Sequence, residues 1–279
     1  MKKLLVILII LFTTQNFYGQ QKFEQLPDTA SIWQAIKYDA GVTLKSVGNA
    51  YTQPLRWEGK DYAKLGGLLV GTFALSYADE STSEYFIKQG ESAPSLIRDF
   101  GWYFGSPQNY FMVTGGIYGY GLLFKNQKVR RVGVLIISSS IASGLIQSVL
   151  KTAVGRARPT TGEGYKSFDP FSSEGAYHSF PSGHTILSMT MSHSIAKQFE
   201  NIWVKIGIYT VGAIPPLSRL WDGAHWLTDI AFSAALSIFI VDGVDKFLFE
   251  REAYGQTKNK KISWNLTFGA NQVGLIGTF

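Results

Sequence analysis

From Leu65 onward the chain is a succession of apolar stretches rich in Gly, Ala and Ser: Leu65–Ala78, Tyr110–Phe124, Val132–Leu150, His184–Ala196, Ile206–Leu217 and Ile230–Val241. Such stretches satisfy their backbone as helices and their side chains by packing on one another or on lipid, and small residues let the backbones approach closely. The pattern predicts an all-α fold, a six-helix bundle that is membrane-embedded. At 46% hydrophobic and 14% aromatic residues, the chain is excluded from the disordered and collagen-like classes.

A membrane span needs about 20 predominantly apolar residues. Gly101–Phe124 is uncharged for 24 residues and Val132–Leu150 for 19, but Leu65–Ala78 has 14 and Ile230–Val241 only 12. The mean hydropathy of +0.05 is low for six full spans. The same helices could pack inside a soluble all-helical domain, so that alternative stays open. Lys125, Lys128, Arg130 and Arg131 crowd the link between two of the best runs, where basic residues favour the cytoplasmic side. That orientation puts residues 151–182 and 218–229 outside, and returns the tail with Lys246, Arg251, Lys258, Lys260 and Lys261 to the inside.

The amino terminus reads as an export signal over residues 1–19: Lys2 and Lys3, an apolar run from Leu4 to Phe12, and a polar exit to Gly19. Phe17 is large for the usual cleavage pattern, so an uncleaved anchor is the alternative. Cleavage would lower the net charge from +6 to +4. Residues 20–61 form a soluble, amphipathic segment, with Asp28 to Ser31 capping a helix that carries Ile32, Trp33, Ile36 and Tyr38. The bundle occupies 62–250. In the 251–279 tail, Ile262, Trp264, Leu266 and Phe268 alternate, then Asn271-Gln272 offers a turn before Val273 and Leu275, which predicts a short β-hairpin.

Zero cysteines remove disulfides, thiolate metal sites and cysteine nucleophiles, and only four His are present. The basic residues are scattered, which argues against nucleic acid and for an anionic substrate or a membrane surface. Three blocks carry chemistry in the two outside segments. Lys151, Arg158 and Pro159 form K-x6-R-P. Pro181, Ser182, Gly183 and His184 open a helix. Ser218, Arg219, His225 and Asp229 form S-R-x5-H-x3-D.

Lys151, Arg158 and Arg219 are three cations suited to a dianionic phosphate, Arg by planar paired donors and Lys as a point charge. Pro181 to His184 presents free N–H groups and the positive end of a helix dipole to an anion. His225 and Asp229 stand four apart, so on one helix the carboxylate would hold one ring nitrogen and leave the other as a nucleophile.

With all eleven fixed positions of K-x6-R-P, P-S-G-H and S-R-x5-H-x3-D in place, the chain resembles the type 2 phosphatidic acid phosphatase and vanadium haloperoxidase superfamily from about Tyr110 to Asp245. The resemblance implies a helical bundle with one metal-free phosphate site and no cofactor. It makes His225 the nucleophile that forms a phosphohistidine, Asp229 its orienting partner and His184 the acid that protonates the leaving oxygen. Lys151, Arg158, Ser182, Gly183 and Arg219 would bind the phosphate oxygens.

His193 lies on the opposite face of its helix from His184 and reads as structural, while His178 sits beside the second block. Glu163, Asp169 and Glu174 have no metal-ligand spacing. The expected substrate is a phosphorylated lipid or small phosphoester, hydrolysed at the periplasmic face of the inner membrane. A soluble periplasmic acid phosphatase, a vanadium-dependent haloperoxidase and a non-enzymatic phosphate-binding bundle are the alternatives. Nothing in the sequence sets the oligomeric state.

Overall fold

The computed structural model describes residues 26–27, 29–250, 254, 263–269 and 272–278. The export signal expected at 1–19 lies outside them. Residues 26–248 form one compact unit, and their helices are α1 (Ile32–Thr52), α2 (Gly59–Ser76), α3 (Asp79–Gly90), α4 (Ser95–Gly105), α5 (Pro107–Leu123), α6 (Gln127–Val154), α7 (Gly183–Ala196), α8 (Ile202–Gly212), α9 (Ile214–Trp221) and α10 (Leu227–Asp245).

The all-α class holds, but the count of six does not, because prolines cut the apolar runs. Gly101–Phe124 breaks at Ser106, where Pro107 starts α5. Ile206–Leu217 breaks at Ala213, with Pro215 and Pro216 in the first turn of α9. A proline has no N–H to give and sits best in the first turn of a new helix. The helices α3 and α4 add two more that hydropathy does not announce, since their sequences carry Asp79, Glu80, Glu84, Arg98 and Asp99.

The segment ahead of the bundle builds a helix as its caps predict. Ser31 caps α1 by accepting from Gln34 N at 3.2 Å, while the Gln34 side chain accepts from Ser31 N at 2.8 Å. α1 packs on α6. The centre of the unit is α6, which also contacts α5, α7 and α10. Tyr110, Val132, Ile136, Leu187 and Met191 form a buried cluster, and the Tyr110 hydroxyl meets Ser140 Oγ at 2.6 Å.

Among the described residues, two helices are long and apolar enough to cross a membrane: Gln127–Val154, with a mean hydropathy of 1.8 over an 18-residue window, and Leu227–Phe249, with 1.7 over such a window. Large apolar side chains also face outward on shorter helices, including Phe73 at 66% exposure and Trp203 at 76%, and on α6 itself at Val149, 67% exposed. Apolar surface of this extent is what a helix shows where lipid rather than water is its neighbour.

In a second unit, Ser263–Gly269 and Gln272–Thr278 pair antiparallel, Ser263 opposite Thr278 and Gly269 opposite Gln272.

Candidate active site

Three chain turns gather the motif residues. The first is the end of α6. Asn126 caps its start by accepting from Val129 N, and Gly155 ends it in the left-handed region at φ 58°. Only glycine fits there, because a β-carbon at 155 would lie 1.8 Å from the Asp169 carbonyl oxygen. Beyond it, Ala157 N donates to Ser167 O and Asp169 N donates to Gly155 O, so Arg156 to Arg158 run extended against 167–169.

The second turn is 178–182, and its backbone collects the site. Lys151 Nζ donates to the His178 carbonyl at 2.6 Å, and Arg158 Nη2 reaches the same oxygen at 3.4 Å. Arg158 also donates to the carbonyls of Gly175 and Ala224, each at 2.9 Å. His225 Nδ1 lies 2.6 Å from the Ser179 carbonyl. A carbonyl can only accept, so Nδ1 carries the proton and Nε2 keeps its lone pair. Ser182 caps α7 through Thr185 N, and its own N–H donates to Ser233 Oγ of α10 at 2.8 Å. A β-carbon on Gly183 would come within 2.9 Å of Gln147 Nε2 of α6.

The third turn, 222–227, corrects the expected His225–Asp229 bond. The Asp229 carboxylate is 3.7 Å from His225 Nδ1, too far for a hydrogen bond. α10 begins only at Leu227, so the two residues do not share a helical face. Asp229 instead caps α10 by accepting from Trp226 N at 2.8 Å. It also accepts from Ser179 Oγ at 2.5 Å and from Arg156 Nη1 at 2.6 Å. Its hold on His225 therefore passes through Ser179, whose hydroxyl binds the carboxylate while its carbonyl binds the ring.

His184 stands at the start of α7 under α4. Its ring centroid is 5.8 Å from that of Trp102, and its buried Nε2 has no hydrogen-bond partner. Arg219 lies over Trp102, 4.4 Å from the ring centroid, and pairs with Asp222 at 2.7 Å. Gly101 and Gly105 permit this packing: β-carbons there would meet Ser218 Cβ and His184 Cδ2, each at 2.5 Å.

Burial lowers the His225 imidazole to about 4, against the raising effect of Asp229 and with help from Lys151. Burial also lowers His184 to about 3, assisted by the Arg219 and His225 charges. Both rings are neutral at pH 7 in the ligand-free protein.

Sequence reasoning missed Arg156, Asp79, Ser179, Trp102 and Gly105. Arg156 was discernible as a second Arg two positions before Arg158, while Asp79 carried no spacing signal. The remaining His residues are engaged elsewhere. His178 Nε2 is 2.9 Å from the Ser172 carbonyl, and His193 bridges the Tyr209 hydroxyl at 2.5 Å and Asp242 at 3.1 Å. In the acidic loop, Glu163 accepts from Ser167 and Tyr177. Among the described residues, no group of three or more His, Asp or Glu is placed to hold a metal.

Residues 132–251 match the family model described as PAP2 superfamily. The lipid A 1-phosphatase of Rhizobium etli is 32% identical over 101 residues, 36% of this chain and 43% of that protein. The lipid A 4'-phosphatase of Porphyromonas gingivalis is 26% identical over 126 residues, 44% of this chain and 53% of that protein. The chain thus spans about half the length of the curated relatives it matches. Among solved structures, a transmembrane PAP2 type phosphatidylglycerolphosphate phosphatase from Bacillus subtilis aligns with a TM-score of 0.50 at 20% identity, over 68% of this chain and 96% of that one. This last likeness is one of fold.

Proposed function

We propose, from the match of residues 132–251 to the PAP2 superfamily model, that the chain is a membrane phosphatase of lipid phosphates that works through a phosphohistidine on His225. The observation that carries the reading is the Ser179 carbonyl on His225 Nδ1, which leaves Nε2 unprotonated and free to attack. Lys151, Arg158 and Arg219 supply the cations, and Ser182 and Gly183 the start of α7, for three phosphate oxygens whose charge must be stabilised in the transition state.

In the first step, Nε2 forms a bond to phosphorus and the bond to the lipid oxygen breaks. His184 gives that oxygen its proton. The ring is neutral in the empty site, and the negative charge of the bound phosphate stabilises its protonated form. In the second step, water attacks phosphorus, His184 takes a water proton, and the P–N bond breaks to release phosphate and restore His225. Each group in this scheme belongs to the chain, so no metal or cofactor is invoked.

The lipid A phosphatases among the relatives favour a phosphorylated glycolipid as substrate. The basic 125–131 link, at the opposite end of α6 from Lys151, favours a site facing the periplasm from the inner membrane. The decisive assay measures phosphate release by the detergent-solubilised protein from lipid A, phosphatidylglycerol phosphate, phosphatidic acid and p-nitrophenyl phosphate. A preference for lipid substrates is expected. Activity on p-nitrophenyl phosphate alone, by protein that washes free of membranes, would replace this reading with a soluble acid phosphatase.

A further inference from the structure

Arg156 is the hub of a buried charge cluster that the three motifs do not contain. Arg156 is 5% exposed, and its guanidinium joins the carboxylates of Asp79 and Asp229, two fully buried residues. Nη1 donates to Asp229 at 2.6 Å and Nη2 to Asp79 at 2.7 Å. Asp79 opens α3, outside the segment that matches the family. It also accepts from Thr228 N at 2.9 Å and from Thr228 Oγ1 at 2.5 Å. Apart from the His225 ring, the recorded partners of both carboxylates are groups that can donate to them. One cation between two anions leaves the cluster with a net charge of −1.

That surplus charge has a use. When His225 Nε2 attacks phosphorus, the ring becomes a cation, 3.7 Å from Asp229 on its Nδ1 side. A simple Arg156–Asp229 pair would be neutral and would offer this cation only a dipole, less than a net negative charge offers. The second carboxylate compensates Arg156 and returns the charge of Asp229 to the histidine.

We propose that Asp79 and Arg156 are positioning residues for His225: Arg156 fixes the Asp229 carboxylate, and Asp79 balances Arg156 so that the cluster stays net negative beside the nucleophile. The inference rests on His225 being the nucleophile, and it adds a requirement that the motif residues do not state.

The test is a charge cycle on the full-length protein, read in kcat, KM and inhibition by orthovanadate, a five-coordinate mimic of the phosphoryl group in transfer. Asp79→Asn makes the cluster neutral. It should lower kcat about 10- to 100-fold, the range for groups that orient a reacting or ligating histidine. KM and inhibition by inorganic phosphate should hold, while orthovanadate binding weakens in step with kcat. The double variant Asp79→Asn with Arg156→Met returns the cluster to −1 and should recover kcat to within about tenfold of the original protein.

A tie between helices would move folding stability, which the double variant can also restore by removing an unpaired buried charge, so the deciding readouts are kcat and orthovanadate binding of folded protein. A double variant as slow as Asp79→Asn, or an Asp79→Asn protein with full kcat and only a lower melting temperature, overturns the proposal. If Asp79→Asn does not fold, the double variant decides against the original protein alone, and a loss of more than about 100-fold overturns it. His225→Ala is run in parallel. If it stays active the nucleophile reading falls and takes this proposal with it, whereas an inactive His225→Ala beside an unaffected Asp79→Asn sinks the proposal alone.

Discussion

Gly105→Ala tests whether the position of His184 sets the rate. A β-carbon at 105 would stand 2.5 Å from His184 Cδ2 and 3.0 Å from both Cβ and Cγ, where ordinary contact begins at 3.4 Å. Because Cβ is crowded as well as the ring, rotation about the ring bond cannot clear the clash. The whole side chain must retreat by about 0.9 Å, the difference between 3.4 and 2.5 Å. A displacement of that size at a reacting group costs about 100-fold in rate, or about 2.7 kcal/mol of barrier. The control is Gly116→Ala on α5, whose β-carbon meets nothing within 4 Å. It should keep full activity and gain up to about 1 kcal/mol from helix propensity. The assay is kcat for phosphate release at saturating lipid phosphate, with melting temperature measured on the same samples. A folded Gly105→Ala protein that keeps more than about a third of kcat would refute the reasoning, since the leaving oxygen would then not depend on where His184 sits.

His225→Ala should abolish turnover in a protein that still melts cooperatively, and residual activity above about a hundredth would contradict a nucleophile at 225. Stability should fall as pH drops from 6.5 toward 4, because His225 is held at about 4 when folded and titrates near 6.5 when unfolded, so the unfolded chain binds the extra proton. His225 alone accounts for about 3 kcal/mol of this loss, and melting curves of His225→Gln should show a flatter acid limb. EDTA should leave activity unchanged, and loss restored by a divalent ion would overturn the metal-free scheme. A reporter active only outside the cytoplasm should work when fused after Thr161 and fail after Gln127; activity at both positions would remove the proposed orientation.

The three motif blocks were legible because their spacing is local: each lies at a helix end, and a helix end needs its cap and its turn within a few residues. What joins the blocks was not legible. Asp79 precedes Thr228 by 149 residues, and nothing at either place signals the other. The His225–Asp229 pair was misjudged for a physical reason. The i,i+4 rule holds only inside a helix, and α10 starts after His225, which turns Asp229 into a cap. The missed breaks at Ser106 and Ala213 were written in Pro107, Pro215 and Pro216, but hydropathy runs ignore prolines. α3 and α4 stayed hidden because their charged residues broke the apolar pattern, although Gly101 and Gly105 of α4 let that helix pack against Ser218 and His184.

A helix cannot stretch, and α6 therefore works as a ruler. Arg130 in its first turn and Lys151 in its last are separated by 21 residues, about 31 Å at 1.5 Å per residue. That is the thickness of a bilayer's hydrocarbon core, about 30 Å. With the basic link held at one surface of a bilayer, Lys151 arrives at the level of the opposite headgroups. A lipid could then present its phosphate sideways, with its acyl chains still among their neighbours, and the enzyme would never have to lift it out.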